Sequence, residues 1–117
     1  NGGVSDSYGV HWWGNGIKFD SATVIYGQWV HLVVTQSGGN INPTNTKLYV
    51  NGVLKTLNSY TTSTYSIPSS SRICIGTRSY SGGTDLYSNG KIDQLRVFNK
   101  VLTQSEVDKL YNSGSGI

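Results

Sequence analysis

NGKIDQLRVFNKVLTQSEVDKLYN, residues 89–112, changes its hydrophobic period halfway, and that change decides how the chain is read. Leu95 and Val97, with Phe98 at the end, alternate as on a strand with one buried face. From Thr103 the period becomes helical: Val107, Leu110 and Tyr111 stand at i, i+3 and i+4 and form one apolar face. Thr103 and Glu106 have the T-x-x-E spacing of a capping box, in which the hydroxyl accepts from the N3 amide and the carboxylate reaches back. Gly114 is placed to close the C-terminal end. So short a helix is not stable alone in water. It is therefore expected to dock on strands and cover an open end of their core.

Composition agrees that strands make up the rest. Of 117 residues only 13% are charged and 11% are aromatic, with 15 Gly and 2 Pro. That balance is too aromatic and β-branched for a disordered chain and too poor in Ala, Leu and Glu for a helical one. The chain is read as all-β and as a single domain over residues 1–117, a length that buries about two-thirds of the unfolded surface. The net charge of +3 comes from scattered Lys and Arg, whereas nucleic-acid binding needs a clustered basic footprint. No apolar run approaches the ~20 residues of a membrane span, so neither nucleic acid nor membrane insertion is expected. The single Cys74, in RICIG, has no partner for a disulfide and no ligand set at zinc spacing, and is read as a buried thiol. With no Met in the sequence, Asn1 is read as a processed end or the start of a fragment.

Four Asn-Gly pairs (1–2, 15–16, 51–52 and 89–90) supply residues that tolerate positive φ in tight hairpins. YGVHWW and IKFD flank the second, KLYV and VLKTL the third, and KIDQLRVF follows the fourth. QWVHLVVT, residues 28–35, is apolar on both faces and reads as a central strand covered on both sides. SRICIGT is expected to be a further short strand. Residues 36–46 and 58–71 are expected to be polar loops or edges, since Pro43 and Pro68 argue against central strands.

QWVHLVVT, KLYVNGVL, ICIGT and GKIDQLRVFNKVLTQSEVDKLY, in that order, resemble the C-terminal part of a laminin-G-like, concanavalin A-like jelly-roll domain over residues 28–112. The last piece is similar to the family's G-x-I-D-E-x-R ending followed by a capped helix, with Gln94 where Glu is usual. The resemblance implies a two-sheet antiparallel β-sandwich with one short C-terminal helix. It also implies that N-terminal strands of a full domain have no counterpart here, so an upstream segment or a neighbouring chain is expected to complete the sandwich. The fold hosts lectins, adhesion modules, pentraxin-like proteins and glucanases, so it does not fix a function.

Glucanases of this fold carry carboxylates in an E-x-D-x-x-E arrangement, and glycoside hydrolysis needs two carboxyl groups about 5–9.5 Å apart. Glu106 is the sole Glu and belongs to the helix cap; the five Asp residues show no such spacing. His31 alternates with Trp29 and Val33 and reads as a packed, hydrogen-bonded histidine. No catalytic residues are assigned, and the chain is read as a non-enzyme. Calcium, which many relatives bind, needs six to eight oxygens. Asp85, Ser88, Asn89 and Asp93 form the richest local set, yet two carboxylates make a poor cage, and the same residues serve equally as turn formers. No cofactor is assigned.

Binding is the remaining chemistry. An aromatic plate stacks on the C–H face of a sugar while amides and hydroxyls bond its oxygens. Tyr8, His11, Trp12, Trp13 and Asn15 lie within one expected hairpin, and Tyr80 and Tyr87 lie in later loops. On a strand Trp12 and Trp13 point to opposite faces, so one ring is expected in the core and the other outside. The chain is thus read as a carbohydrate-binding, lectin-like or adhesion module of a secreted, cell-surface or virion protein. Its partner would be a glycan or a protein surface. The alternative is a structural or decoration module of a virion or other extracellular assembly.

Overall fold

The computed structural model describes residues 7–12, 15–38, 42–60, 75–80, 83–85, 87 and 89–112. Eight strands and a helix follow in chain order: β1 Ser7–Trp12, β2 Asn15–Thr23, β3 Leu32–Gln36, β4 Thr46–Val50, β5 Val53–Lys55, β6 Leu57–Tyr60, β7 Arg78–Tyr80, β8 Gly83–Asp85 and α1 Gln104–Tyr111. Every pairing among the described residues is antiparallel, in sheets ordered β1-β2-β6, β3-β4-β5 and β7-β8. Only Thr56 separates β5 from β6, so the chain passes from one three-stranded sheet to the other within one residue. β2 and β5 lie against each other. The chain is mostly β with one short C-terminal helix, as its composition and ending predict.

The turn at Asn51 and Gly52 fixes the sheet that carries the core. Both residues have positive φ (50° and 79°), and they join β4 to β5 in the two-residue connection that Asn-Gly favours. Asn51 also ties the neighbouring strand down: its N–H donates to the His31 carbonyl and its Oδ1 accepts from the His31 N–H, each at 2.9 Å. β4 is the covered central strand. Leu48, Tyr49 and Val50 are all buried, and Tyr49 packs with Leu102 and Val107 while Val33 and Leu110 close around them. Val107 is fully buried, which stabilises the docked helix by about 1.5–3 kcal/mol.

The helix is capped as its sequence dictates. Thr103 adopts an extended conformation, its Oγ1 accepts from the Glu106 N–H at 3.3 Å, and Glu106 Oε2 accepts from the Thr103 N–H at 2.9 Å. Lys100 adds an ion pair to the same carboxylate. The C-terminal end is closed by Asn112 in the left-handed region (φ 44°), and the expected Gly114 lies outside the described residues. Asn is the commonest substitute for Gly at such a cap because its short polar side chain tolerates this conformation.

Four strand expectations are corrected. QWVHLVVT is not a central strand among the described residues: there β3 begins at Leu32, stands at the end of its sheet, and leaves Leu32 and Val34 45% and 49% exposed. The first hairpin exists, but Trp12 pairs with Asn15, so its connection is 13–14 and Asn15-Gly16 opens β2. Of SRICIGT, residues 71–74, Cys74 among them, lie outside the described residues, and 75–77 form a bend ahead of β7. KIDQLRVF forms no strand: residues 91–98 are exposed throughout, and Asn89-Gly90 opens no hairpin. Residues 58–60, read as loop or edge, are the edge strand β6.

Candidate recognition surface

The expected platform is brought together in part. His11 and Trp12 pair with Gly16 and Asn15 across β1 and β2, so the backbone of that hairpin holds three of its proposed members. Trp13 lies outside the described residues, so the expectation of one buried and one exposed Trp falls there. Tyr8 is half-buried, and its hydroxyl accepts from the Ile25 N–H at 3.2 Å, which ties the hairpin to the segment preceding β3. Tyr80 is on β7, where it pairs with Gly83, and Tyr87 is exposed.

Sequence reasoning missed two aromatics. Tyr26 and Trp29 are 70% and 67% exposed on the segment that leads into β3. The sequence places Trp29 in a covered strand, but the ladder starts only at Leu32, and Gly27, with φ 73°, turns the chain between the two rings. The signal was present: a Gly one residue after Tyr26 marks a turn more strongly than apolar alternation marks a strand there. Both are large exposed rings, three residues apart in sequence, next to the turn at Gly27.

The other chemistry of the site concerns His31. Its ring lies against Tyr111, with centroids 5.8 Å apart, and its backbone is hydrogen-bonded as described. Its Nδ1 is buried without a hydrogen-bond partner, so the expected hydrogen bonding holds for the backbone only. Burial, and then the positive charge of Arg96, lowers its pKa below the ordinary value and holds the imidazole neutral. Glu106 is held down to about 2, chiefly by its hydrogen bond from Lys100 and then by Thr103.

Of the residues weighed for calcium, Asp85 stands opposite Arg78 in the backbone register of β7 and β8, Asn89 is exposed, and Asp93 Oδ1 accepts from the Gln94 N–H at 2.7 Å. Ser88 lies outside the described residues, among which no group of three or more His, Cys, Asp or Glu stands together as a metal site. None of their helices is long and apolar enough to cross a membrane.

The sequence pattern of the concanavalin A-like lectin/glucanases superfamily, in its laminin-G form, matches residues 2–108, further towards the N-terminus than residue 28. A crystal structure of residues 221–444 of an S-layer domain-containing protein from Clostridium thermocellum is similar in fold, with 24% identity and a TM-score of 0.55. The match covers 83% of this chain and 50% of that one, so the chain spans about half the length of its structural relative. No curated protein matches the chain.

Proposed function

We propose that this chain, which belongs to the concanavalin A-like lectin/glucanase superfamily, is a non-catalytic recognition module of an extracellular or cell-surface protein and binds a glycan or a partner's surface. The observation that carries the reading is the exposed pair Tyr26 and Trp29 on the turn before β3. Aromatic rings combine a large apolar body with a polar tip, which suits a surface that is wet when empty and stacked when occupied. The likeness to an S-layer domain-containing protein supports an extracellular setting.

The non-catalytic half of the reading is supported by the role of Glu106. A general acid needs a raised pKa and a general base needs a free lone pair facing substrate. The sole Glu has its carboxylate in the capping box and in the ion pair with Lys100, and its pKa is driven the other way. The test is a glycan array followed by titration with Trp29→Ala. That change should lower affinity at least about tenfold while leaving stability within about 0.5 kcal/mol, as for surface substitutions. Unchanged affinity in both Trp29→Ala and Tyr26→Ala would remove this turn as the site.

A second reading has its own support. Leu32 and Val34 on β3, and Ile92, Leu95 and Val97 in 91–98, are exposed large apolar side chains, which become covered where a protein partner meets them. An upstream segment or a neighbouring chain lying there would make the chain a structural module of an extracellular assembly. Melting and oligomeric state measured with and without the preceding sequence separate the two readings.

A further inference from the structure

Three Asn-Gly pairs lie among the described residues, and the fold holds them differently. Such a pair is chemically labile, because the Gly nitrogen can attack the Asn side-chain carbonyl carbon with no Cβ in its way. The attack requires the Asn backbone to turn until that nitrogen and Cγ come into near-attack contact. A backbone fixed in another geometry does not react.

Asn51-Gly52 is fixed. Asn51 has φ 50°, its N–H donates to the His31 carbonyl, and its Oδ1 accepts from the His31 N–H, each bond at 2.9 Å. Swinging Cγ towards the Gly52 nitrogen would break the second of these bonds. Gly52 is itself buried, its carbonyl accepts from Gln104 Nε2 at 2.7 Å, and the Tyr111 ring fills the space beside its Cα. Asn15-Gly16 is held by a ladder, with Asn15 paired to Trp12 and Gly16 to His11. Asn89-Gly90 shows neither restraint among the described residues. Both of its residues are exposed and lie outside the strands and the helix. A Cβ placed on Gly90 would meet no described atom within 4 Å.

We propose that Asn89 is a site of spontaneous deamidation, with water as the co-reactant, and that the folded chain converts there while sparing Asn51. A base removes the Gly90 amide proton, and the nitrogen attacks Asn89 Cγ. The new C–N bond closes a cyclic imide as the Cγ–Nδ2 bond breaks and ammonia leaves with a proton. Water then opens the imide at either carbonyl and leaves aspartate or isoaspartate at position 89; nothing is oxidised or reduced. Each conversion replaces a neutral amide by a carboxylate and lowers the net charge of +3 by one unit. Isoaspartate also lengthens the backbone by one carbon just ahead of the exposed residues Ile92, Leu95 and Val97.

Tryptic mapping separates the two sites, because residues 79–91 contain Asn89 as their sole Asn and residues 48–55 contain Asn51 as theirs. The unaltered chain would be incubated at mildly alkaline pH, and the acid forms of both peptides followed by mass spectrometry. In the folded chain the 79–91 peptide should convert at least about tenfold faster than the 48–55 peptide. In urea, which frees both backbones, conversion at Asn51 should rise about tenfold or more, while conversion at Asn89 changes by less than about threefold. Equal rates in the folded chain, or an equal rise at both sites in urea, overturn the proposal. Gly90→Val puts a β-branched side chain on the attacking residue and should slow conversion at Asn89 at least about tenfold in the folded chain. Conversion unchanged by Gly90→Val would mean direct hydrolysis of the side-chain amide, and that overturns the imide route.

Discussion

Gly52→Ala tests how tightly the helix is locked to the turn. Gly52 has φ 79°, where an L-residue with a Cβ is disfavoured by about 1–2 kcal/mol. The added Cβ would also stand 3.0 Å from Tyr111 Cδ1 and 3.7 Å from Asp108 Oδ1. The second distance is an ordinary contact; the first requires the Tyr111 ring to give way, and that ring already lies against His31. Crowding of this kind in a packed site costs about 1–3 kcal/mol. Together the two effects predict a loss of about 2–5 kcal/mol, a fall in Tm of roughly 8–20 °C at about 4 °C per kcal/mol for a chain of this size. Urea melts followed by circular dichroism give the free energy directly. Repeating them in a Tyr111→Ala background separates the parts, because only the backbone part should survive there. A loss below about 0.5 kcal/mol, the range of ordinary surface changes, would refute the reasoning. A loss unchanged by Tyr111→Ala would refute the contact while leaving the backbone argument intact.

Three further outcomes follow from the cap and the titrating groups. Thr103→Ala removes the Oγ1 acceptor for the Glu106 amide and should cost about 1 kcal/mol in a urea melt, whereas Thr103→Ser should restore nearly all of it. The folded-state pKa of His31 is lowered, so its neutral form is favoured by folding and its contribution is full above the ordinary value of 6.5. That contribution should fade as pH drops below 6.5, so His31→Phe should lose less stability than the parent chain between pH 7 and pH 5. Glu106 works at lower pH: its contribution is present above the ordinary 4.5 and is lost as pH falls towards about 2. Glu106→Gln should therefore flatten that limb of the curve and leave the His31 limb unchanged.

How far the sequence could be read depended on how local the deciding interactions were. The helix cap needs only residues three apart, and the Asn51-Gly52 turn needs only its own two φ angles, so both were legible. The helix face was legible because Val107, Leu110 and Tyr111 follow directly from the 3.6-residue period. The role of QWVHLVVT was not. Its two apolar faces fit a central strand, but β4 occupies the centre, with Leu48, Tyr49 and Val50 buried. Which of two apolar strands lies inside depends on pairing between distant segments, which alternation does not encode. The same holds for 91–98, whose pattern shows strand propensity and not whether a partner edge is engaged. At the site, Tyr26 drew no notice and Trp29 was placed inside the strand read over 28–35, whereas the ladder begins only at Leu32. The doublet at Trp12 and Trp13 drew attention through composition alone.

The central claim is recognition without catalysis, and one titration addresses it directly. The chain would be mixed with the polysaccharide that binds best on the array, and bound ligand and newly formed reducing ends would be followed in the same samples over time. The account predicts saturable, reversible binding that weakens in Trp29→Ala, with reducing ends at the level of the buffer control. Release of reducing ends above that control, abolished by substitution of an Asp in this chain, would contradict it.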